Sequence, residues 1–389
     1  MPPNITTETC TPKPSDNVLN SEDIVVDKSS DKIKDDFPTP WNRRFLWRNI
    51  AVFGPLHVLS FYGLYLVFTS ARIYTTIFAL VLHQLGIFSV TAGAHRLWSH
   101  RAYKAKWPLR CLLIFIHWCT FQDAVYIWAY HHRIHHKFSD TDADPHNAKR
   151  GFFFSHMGWL FCEGHPDFET KKKVIDLTDL HQDKILMFQY RHYLKVMPFL
   201  SFILPTLLPM VLWDETLWNS FFVNIWRYAI TFHVTVCINS FAHTYGSRPY
   251  DKEIMPTESY SLAWVTLGEG WHNYHHVFPW DYKAAEFGGS RVNPTTVLLN
   301  FFAKIGWAYD LKTVTDEGIK KRVMRTGDGT HPVWGWGDPE QTKENANAAT
   351  ILHKQEDYSW GWGDEDGKLA TESVKHAATL HPDTKEKNS

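Results

Sequence analysis

The chain has 389 residues, of which 44% are hydrophobic and 15% aromatic, and its formal net charge is −1. Because acidic and basic side chains balance, nothing in the charge indicates a nucleic-acid-binding protein. The five cysteines show no disulfide-framework spacing, which argues against a small disulfide-stabilised secreted protein.

Residues 1–38 are rich in Pro, Ser, Asp and Lys and are predicted to be a disordered N-terminal tail. Four apolar runs follow. Those at 51–69 and 73–94 carry no charge, the third is 197–213, and 216–242 holds Arg227 as its only charge. A bilayer core of about 30 Å needs roughly 20 helical residues. We therefore predict four transmembrane helices, at about 50–69, 73–94, 197–213 and 218–242, rather than buried helices of a large soluble protein.

The distribution of charges between these runs predicts their orientation. Basic residues precede the first run and follow the second, namely Arg43, Arg44, Arg48, Arg96, Arg101, Lys104 and Lys106. The turns between runs hold few basic residues: one contains only Arg72, and the other contains Asp214 and Glu215. The positive-inside rule then predicts that both termini and the blocks 95–196 and 243–326 are cytosolic. Residues 39–326 would form one membrane domain. The apolar stretch 109–121 is too short to span and should lie in the membrane interface or under a site.

The chain from residue 327 to 389 is polar and internally duplicated. Trp334–Asp338 recurs as Trp360–Asp364. Two copies are too few for a solenoid, so we predict a tether rather than a further domain, with His331 in solvent.

Three histidine clusters dominate the two cytosolic blocks. They are His95–His100 (H-R-L-W-S-H), His132–His136 (H-R-I-H-H) and His272–His276 (H-N-Y-H-H). Histidines at i, i+3 and i+4 share one helix face. One zinc needs three or four protein ligands, and eight imidazoles suit two metals. The predicted ligands are almost all imidazoles, and the H-E-x-x-H motif of hydrolytic zinc enzymes is absent from the sequence. Both features favour redox chemistry with oxygen over hydrolysis. We predict an all-α membrane protein whose cytosolic helical cap holds a two-metal site.

These boxes resemble the three histidine boxes of the membrane fatty acyl-CoA desaturases, the stearoyl-CoA desaturase family. The resemblance covers residues 40–330 and extends to further stretches: Thr91–Ala94, Thr141–Asn147, Gly151–His156, Gly268–Gly270 and Arg325–Gly329.

The resemblance implies a di-iron centre with a ninth histidine in the stretch Asn239–His243, and with Asn239 reaching a metal through water. The implied iron ligands are His95, His100, His132, His135, His136, His243, His272, His275 and His276. It also implies a multi-pass protein of the endoplasmic reticulum membrane that uses O2 and a fatty acyl-CoA substrate. Electrons would come from cytochrome b5 and its NADH reductase. His131, which precedes the second box, is interpreted as an outer-shell or surface residue.

The residues that the resemblance assigns to substrate are only partly retained. Asn49 and Thr235 are predicted substrate contacts, and Thr91, Ile87 and His83 should form a stripe that limits chain length, unless it merely packs on a neighbouring helix. The family's Arg-Asp before the second box is Tyr130-His131 here. The family's Arg-Lys pair is replaced by Glu163-Gly164 in this chain, and a tryptophan of the family is replaced by Val236. These changes predict weaker binding of the coenzyme A phosphates.

We therefore expect an acyl-CoA desaturase that introduces a cis double bond, at Δ9, into saturated chains. The alternatives are another bond position such as Δ11, another acyl carrier, or a catalytically degenerate metal-binding membrane protein.

Overall fold

The computed structural model describes residues 38–286, 292–335 and 374–377. The predicted N-terminal tail and the second tryptophan-glycine repeat, Trp360–Asp364, therefore lie outside the described residues. Within those ranges the chain is mostly helical, which confirms the predicted all-α membrane fold.

Four helices are long and apolar enough to cross a membrane. The first is α1 (Trp47–Thr69), and the second is α2 (Ile73–Phe88), which continues as a π-helix over Ser89–Ser99. The third consists of α8 (Lys184–Pro198), a π-helical turn at Phe199–Ile203 and α9 (Leu204–Trp213). The fourth is α10 (Leu217–Ser240), which ends in a 3₁₀ turn at Phe241–His243.

The third membrane helix begins earlier than its apolar run, because the chain stays helical from Lys184 through Pro198 to Trp213. Proline cannot donate the regular helical hydrogen bond. A π-helical turn at Phe199–Ile203 follows Pro198, and the helix continues through it to Trp213.

Helix α10 is the central membrane helix and packs against α1, α2 and α9. Gly63 permits the close approach of α1, since a Cβ atom there would lie 2.0 Å from the Phe222 carbonyl oxygen. The one charge of α10, Arg227, is buried and faces protein. Its guanidinium donates to Asn224 Oδ1 and to the carbonyl oxygens of Cys119 and Ser201, at 2.7–3.0 Å. This satisfies a charge that lipid would not tolerate.

The remaining helices form a cap at one end of the membrane helices. They are α3 (Trp107–Trp118), α4 (Val125–Lys137), α5 (Phe152–His156), α6 (Pro166–Lys171), α7 (Thr178–Gln182), α11 (Tyr260–Val265), α12 (His272–Val277), α13 (Pro294–Lys304) and α14 (Asp316–Thr326). Single 3₁₀ turns lie at Ala148–Arg150, Gly158–Phe161 and Lys172–Val174. Helix α3 buries Leu109 and Leu113 and exposes Trp107 and Phe115, as an interfacial helix does.

Two small antiparallel sheets complete the cap. Strand β1 (Lys104–Ala105) pairs with β2 (Ala308–Tyr309), and β3 (Leu311–Val314) pairs with β4 (Val374–Ala377). Residues 327–335 also pack on the cap, and His331 is 1% exposed with its Nε2 2.8 Å from Glu286. The prediction that His331 is solvated is wrong, because its ring stacks on Trp334 and its nitrogen meets a carboxylate.

Candidate metal centre and adjoining cavity

All nine histidines predicted as ligands come together at the junction of the membrane helices and the cap. They form two groups whose ring nitrogens lie within 4.8 Å of one another. The first group is His95, His100, His132, His136 and His275, and the second is His135, His243, His272 and His276. We call them the first and second imidazole clusters. Each cluster contains histidines from more than one box, so neither cluster is made by one helix.

Local helix geometry aims each box at the clusters. Helices α4 and α12 place their i, i+3 and i+4 histidines on one face. The first box has i, i+5 spacing, which no α-helical face explains. Residues 89–99 are π-helical, with i→i+5 hydrogen bonds, and the His100 amide at the end of this helix donates to the His95 carbonyl oxygen at 3.1 Å. The rings of His95 and His100 consequently lie 4.8 Å apart, centroid to centroid.

The nitrogen atoms fit bound metal ions. Nε2 atoms of different rings lie 2.8 Å apart for His95–His275 and His100–His132, and 3.1 Å apart for His243–His272. His135 Nε2 is buried and has no hydrogen-bond partner among the described residues. Groups of five and four nitrogen donors that converge in this way suit two cations of the kind that imidazole ligates.

Three buried carboxylates lie beside the outer nitrogens of three of the rings. Asp144 oxygens lie 2.9 Å from His135 Nδ1, a Glu269 oxygen 3.0 Å from His95 Nδ1, and an Asp140 oxygen 3.1 Å from His243 Nδ1. Arg96 in turn pairs with Glu269 at 2.8 Å. A carboxylate on the second nitrogen fixes the ring orientation and tautomer of a metal-binding histidine.

Burial sets the protonation state of the cluster histidines. Burial, with the neighbouring imidazoles adding to it, holds the pKa of His100, His132, His136, His272, His275 and His276 well below the usual histidine value. For His135, burial lowers the pKa but Asp144 outweighs it, and the net shift is upward. Six of the rings are therefore neutral at pH 7, the form that coordinates a metal.

A cavity adjoins the first cluster, since His95 and His132 form part of its wall. The rest of the wall is largely apolar and aromatic and includes Phe53, Phe121, Trp128 and Phe232. Such a lining excludes water and fits an alkyl chain better than a polar substrate.

Four of the predicted site residues other than histidine line this cavity: Ile87, Thr91, Thr235 and Asn239. His83 does not. Its Nδ1 lies 3.0 Å from Thr231 Oγ1, so it packs on α10, because four-residue steps drift round the helix away from the cavity. Asn49 is also absent from the lining, and its amide donates to the Leu160 carbonyl oxygen at 2.7 Å.

Asp123 is a cavity residue that sequence reasoning missed. It lies in the turn between α3 and α4 with φ of +63° and lines the cavity beside Gln122. No hydrogen-bond partner of its carboxylate is found in the described part of the chain. Desolvation by the surrounding cavity wall raises the pKa of this carboxyl, against the opposing effect of Arg48. No sequence signal marked it, because it belongs to none of the histidine boxes.

The positions that differ from the desaturase pattern lie around the cavity or on the surface beside it. Val236 and His131 line the cavity, and His131 belongs to neither imidazole cluster. Tyr130 donates to the Lys172 carbonyl oxygen at 3.1 Å. Glu163 is exposed and follows Cys162, whose backbone pairs with Phe45.

Comparison with known proteins agrees with this site. The profile of the fatty acid desaturase family matches residues 71–284. The chain is 56% identical over 313 residues to an acyl-CoA Delta-9 desaturase of Acheta domesticus, covering 80% of this chain and 87% of that protein. This chain belongs to the fatty acid desaturase family. It is accordingly an oxidoreductase of the acyl-CoA desaturase type with a membrane-spanning helical fold.

Other relatives carry different names. The chain is 52% identical over 317 residues to an acyl-CoA Delta12-desaturase of Acheta domesticus, covering 81% of this chain and 89% of that protein. It is 49% identical over 288 residues to the stearoyl-CoA desaturase of Bos taurus, covering 74% and 80%. Family membership thus leaves the double-bond position of this desaturase open.

Proposed function

We propose that this desaturase introduces a cis Δ9 double bond into saturated fatty acyl-CoA, using O2 and a di-iron centre. The observation that carries the proposal is the contact between the first imidazole cluster and the apolar cavity, through His95 and His132. It brings nine nitrogen donors beside a chamber suited to an alkyl chain. The name of the 56% identical Delta-9 relative supports the bond position.

The nine histidines would hold the two irons, with Asn239 contributing through water from the cavity wall. When bound, the irons supply O2 activation and removal of two hydrogens from an unactivated methylene pair. The ligand set supports iron over calcium or magnesium, because it consists of imidazole nitrogens rather than oxygens. Asp140, Asp144 and Glu269 keep the rings oriented toward the ions.

The cavity residues position the acyl chain. Apolar side chains such as Phe232 exclude water, so the methylene pair beside His95 and His132 reacts in a dry environment. Ile87, two helical turns before His95, would meet the methyl end of the chain. Thr91 and Thr235 line the segment nearer the clusters.

We further propose that cytochrome b5, reduced by its NADH reductase, supplies the electrons, and that the protein resides in the endoplasmic reticulum membrane with both termini cytosolic. The arginines that precede the first apolar run and the basic residues that follow the second support this orientation. Residues 39–326 would then be the desaturase domain, flanked by tails 1–38 and 327–389.

Expression in a desaturase-deficient yeast, followed by mass-spectrometric location of double bonds, tests the proposal. Growth without unsaturated fatty acid, with Δ9 monoenes as products, is the expected result. Products unsaturated only at Δ11 or Δ12 would overturn the Δ9 assignment and leave the iron site intact. Wild-type protein that holds metal but forms no product with any acyl-CoA would instead favour the degenerate alternative, which the altered residues Tyr130, Glu163 and Gly164 keep open.

A further inference from the structure

A second concave surface lies outside the acyl cavity, between the first turns of α1 and the segment Gly151–Cys162. We call it the boundary groove. Ile50 and Gly54 of α1 line one side, and Phe152 and Phe161 line the other. A Cβ atom built on Gly54 would meet no heavy atom within 4 Å, so the groove is open at its centre.

Two guanidinium groups, those of Arg43 and Arg150, line the groove and surround Trp41. The Cζ atoms of Arg43 and Arg150 lie 4.7 and 4.1 Å from the Trp41 ring centroid. Arg150 also pairs with Asp142, whereas Arg43 has no carboxylate within ion-pair distance in the part of the chain that the structure describes. The groove therefore combines an apolar floor with one cation that no described acid neutralises.

The aromatic side chains around the groove place it at the membrane–water boundary. Phe45, Trp47 and Phe153 are 60–73% exposed, although all three are large and apolar. Exposed aromatic and basic side chains at the first turn of a membrane helix are typical of the headgroup level. A ligand at this depth meets water at the guanidinium groups and acyl chains along the floor.

We propose that the boundary groove binds one anionic phospholipid, with its phosphate at Arg43 and one acyl chain along the Phe152 and Phe161 floor. A phospholipid joins a phosphate to an alkyl chain at this depth, which neither free phosphate nor a soluble peptide does. The choice of the cytosolic leaflet rests on the orientation under the proposed function. The site itself rests only on the groove and its charge.

The groove shares a thin wall with the acyl cavity. On α1, Phe53 faces the cavity while Ile50 and Gly54 line the groove. On the other side, Leu160 faces the cavity and Phe161 the groove. Two hydrogen bonds hold this wall: Asn49 Nδ2 to the Leu160 oxygen at 2.7 Å, and the Leu46 amide to the Phe161 oxygen at 2.8 Å. A bound lipid buttresses this wall, so anionic lipid should also lower the KM for acyl-CoA.

Purified full-length protein in phosphatidylcholine nanodiscs containing phosphatidylglycerol tests the binding step. Native mass spectrometry counts the phosphatidylglycerol retained after transfer to detergent. Arg43→Gln should weaken retention about fivefold, the effect of one surface cation on anionic lipid. Arg44→Gln is the matched control, because Arg44 is the exposed neighbour and does not line the groove. Equal losses of phosphatidylglycerol in both variants would mean that the basic residues attract anionic lipid without a defined site, and would overturn the proposed site.

A second variant tests the chain-binding floor independently of charge. Gly54→Leu fills the open centre of the groove and improves helix propensity, so folding should be retained. It should abolish retention of phosphatidylglycerol while every cation remains. Unchanged retention in Gly54→Leu would overturn the groove as the site. Displacement of the lipid by coenzyme A alone, or by inorganic phosphate alone, would reassign the cations to those ligands. None of these readouts depends on desaturation, so failure here leaves the proposed reaction untouched.

Discussion

Asp144 and His135 form the tightest carboxylate–imidazole contact of the metal centre, with both Asp144 oxygens 2.9 Å from the Nδ1 atom. The Asp144 oxygens also accept from the amides of Asp140 and His146 at 2.8 Å. The carboxylate thus ties the end of α4 to the following turn and turns His135 Nε2 toward the second cluster.

We expect Asp144→Asn to lower metal affinity about 10- to 100-fold, the usual effect of losing a carboxylate behind a ligating histidine. Metal retained after dialysis against graded chelator measures it. Asp214→Asn, an exposed aspartate at the far end of α9, is the control. Unchanged retention in Asp144→Asn would show that the amide bonds alone orient His135.

Removing a histidine of either imidazole cluster should cause a larger loss of bound metal than removing Asp144. His135→Ala removes one of the four nitrogen donors of the second cluster, and His275→Ala removes one of the five of the first. We expect each variant to lose bound iron and desaturation, as measured by elemental analysis and product assay. His192→Ala, on a half-exposed ring outside both clusters, should retain both properties. Full activity in His135→Ala and His275→Ala would contradict the di-iron proposal.

The spacing of the second and third boxes predicted which of their histidines meet, because i, i+3 and i+4 share one face of an α-helix. Sequence did not reveal that residues 89–99 are π-helical, a segment that packs against α3 and α4 in the folded chain. Nor did it identify Asp140 and Asp144 as partners of the rings, although both follow the second box within eight residues. Their role depends on a turn that folds back on α4.

Positions chosen by helical spacing were predicted less well than ligands. His83 was extrapolated three turns from His95, and the accumulated rotation carries it to Thr231. His331 looked solvated because its neighbours are polar, but long-range contacts with Glu286 and Trp334 bury it. Local sequence patterns therefore predict which residues share one helix face, whereas contacts between segments distant in the sequence can be read only from the folded structure.

The pair formed by Arg133 and Asp179 predicts a pH dependence of stability. Arg133 lies inside the second box, and it and Arg101 donate to Asp179 at 2.7–2.9 Å. Burial raises the pKa of Asp179, but these two guanidinium groups outweigh it and lower the pKa to about 2. The unfolded value is about 3.9. The carboxylate therefore stabilises the fold above about pH 4, and this contribution is lost as pH falls toward 2.

We expect Asp179→Asn to lower the thermal midpoint at pH 7 and the difference from wild type to shrink below pH 4. Differential scanning fluorimetry in detergent measures both curves. Because Asp179 is partly exposed, the effect should be modest. A difference that stays constant from pH 7 to pH 3 would mean that packing rather than charge accounts for it.

The altered head-group positions predict weak but repairable binding of acyl-CoA. Glu163 is exposed, and a Cβ atom at Gly164 would meet only the Phe168 side chain, at 3.1 Å, so a longer side chain there requires a small shift of that ring. Glu163→Arg with Gly164→Lys should lower the apparent KM for acyl-CoA at least tenfold, since one charge-assisted bond of about 1.5 kcal/mol already gives that factor. Bond position should not move. Glu253→Arg, an exposed reversal elsewhere in the cap, controls for net charge. An unchanged KM would point to another acyl carrier or binding mode.

Chain length should depend on Ile87. This side chain is 2% exposed, lines the cavity and lies eight residues before His95 on the same continuous helix. Truncation there deepens the cavity without touching a ligand. Ile87→Ala should shift the products toward longer chains, while the double bond keeps its position counted from the carboxyl end, because the clusters and the head-group contacts are unchanged. Gas chromatography of lipids from yeast expressing each form measures the profile. Ile73→Ala, on the lipid-exposed start of α2, is the control. If Ile87→Ala accumulates normally and its products match wild type, the cavity ends elsewhere and Ile87 only packs between helices.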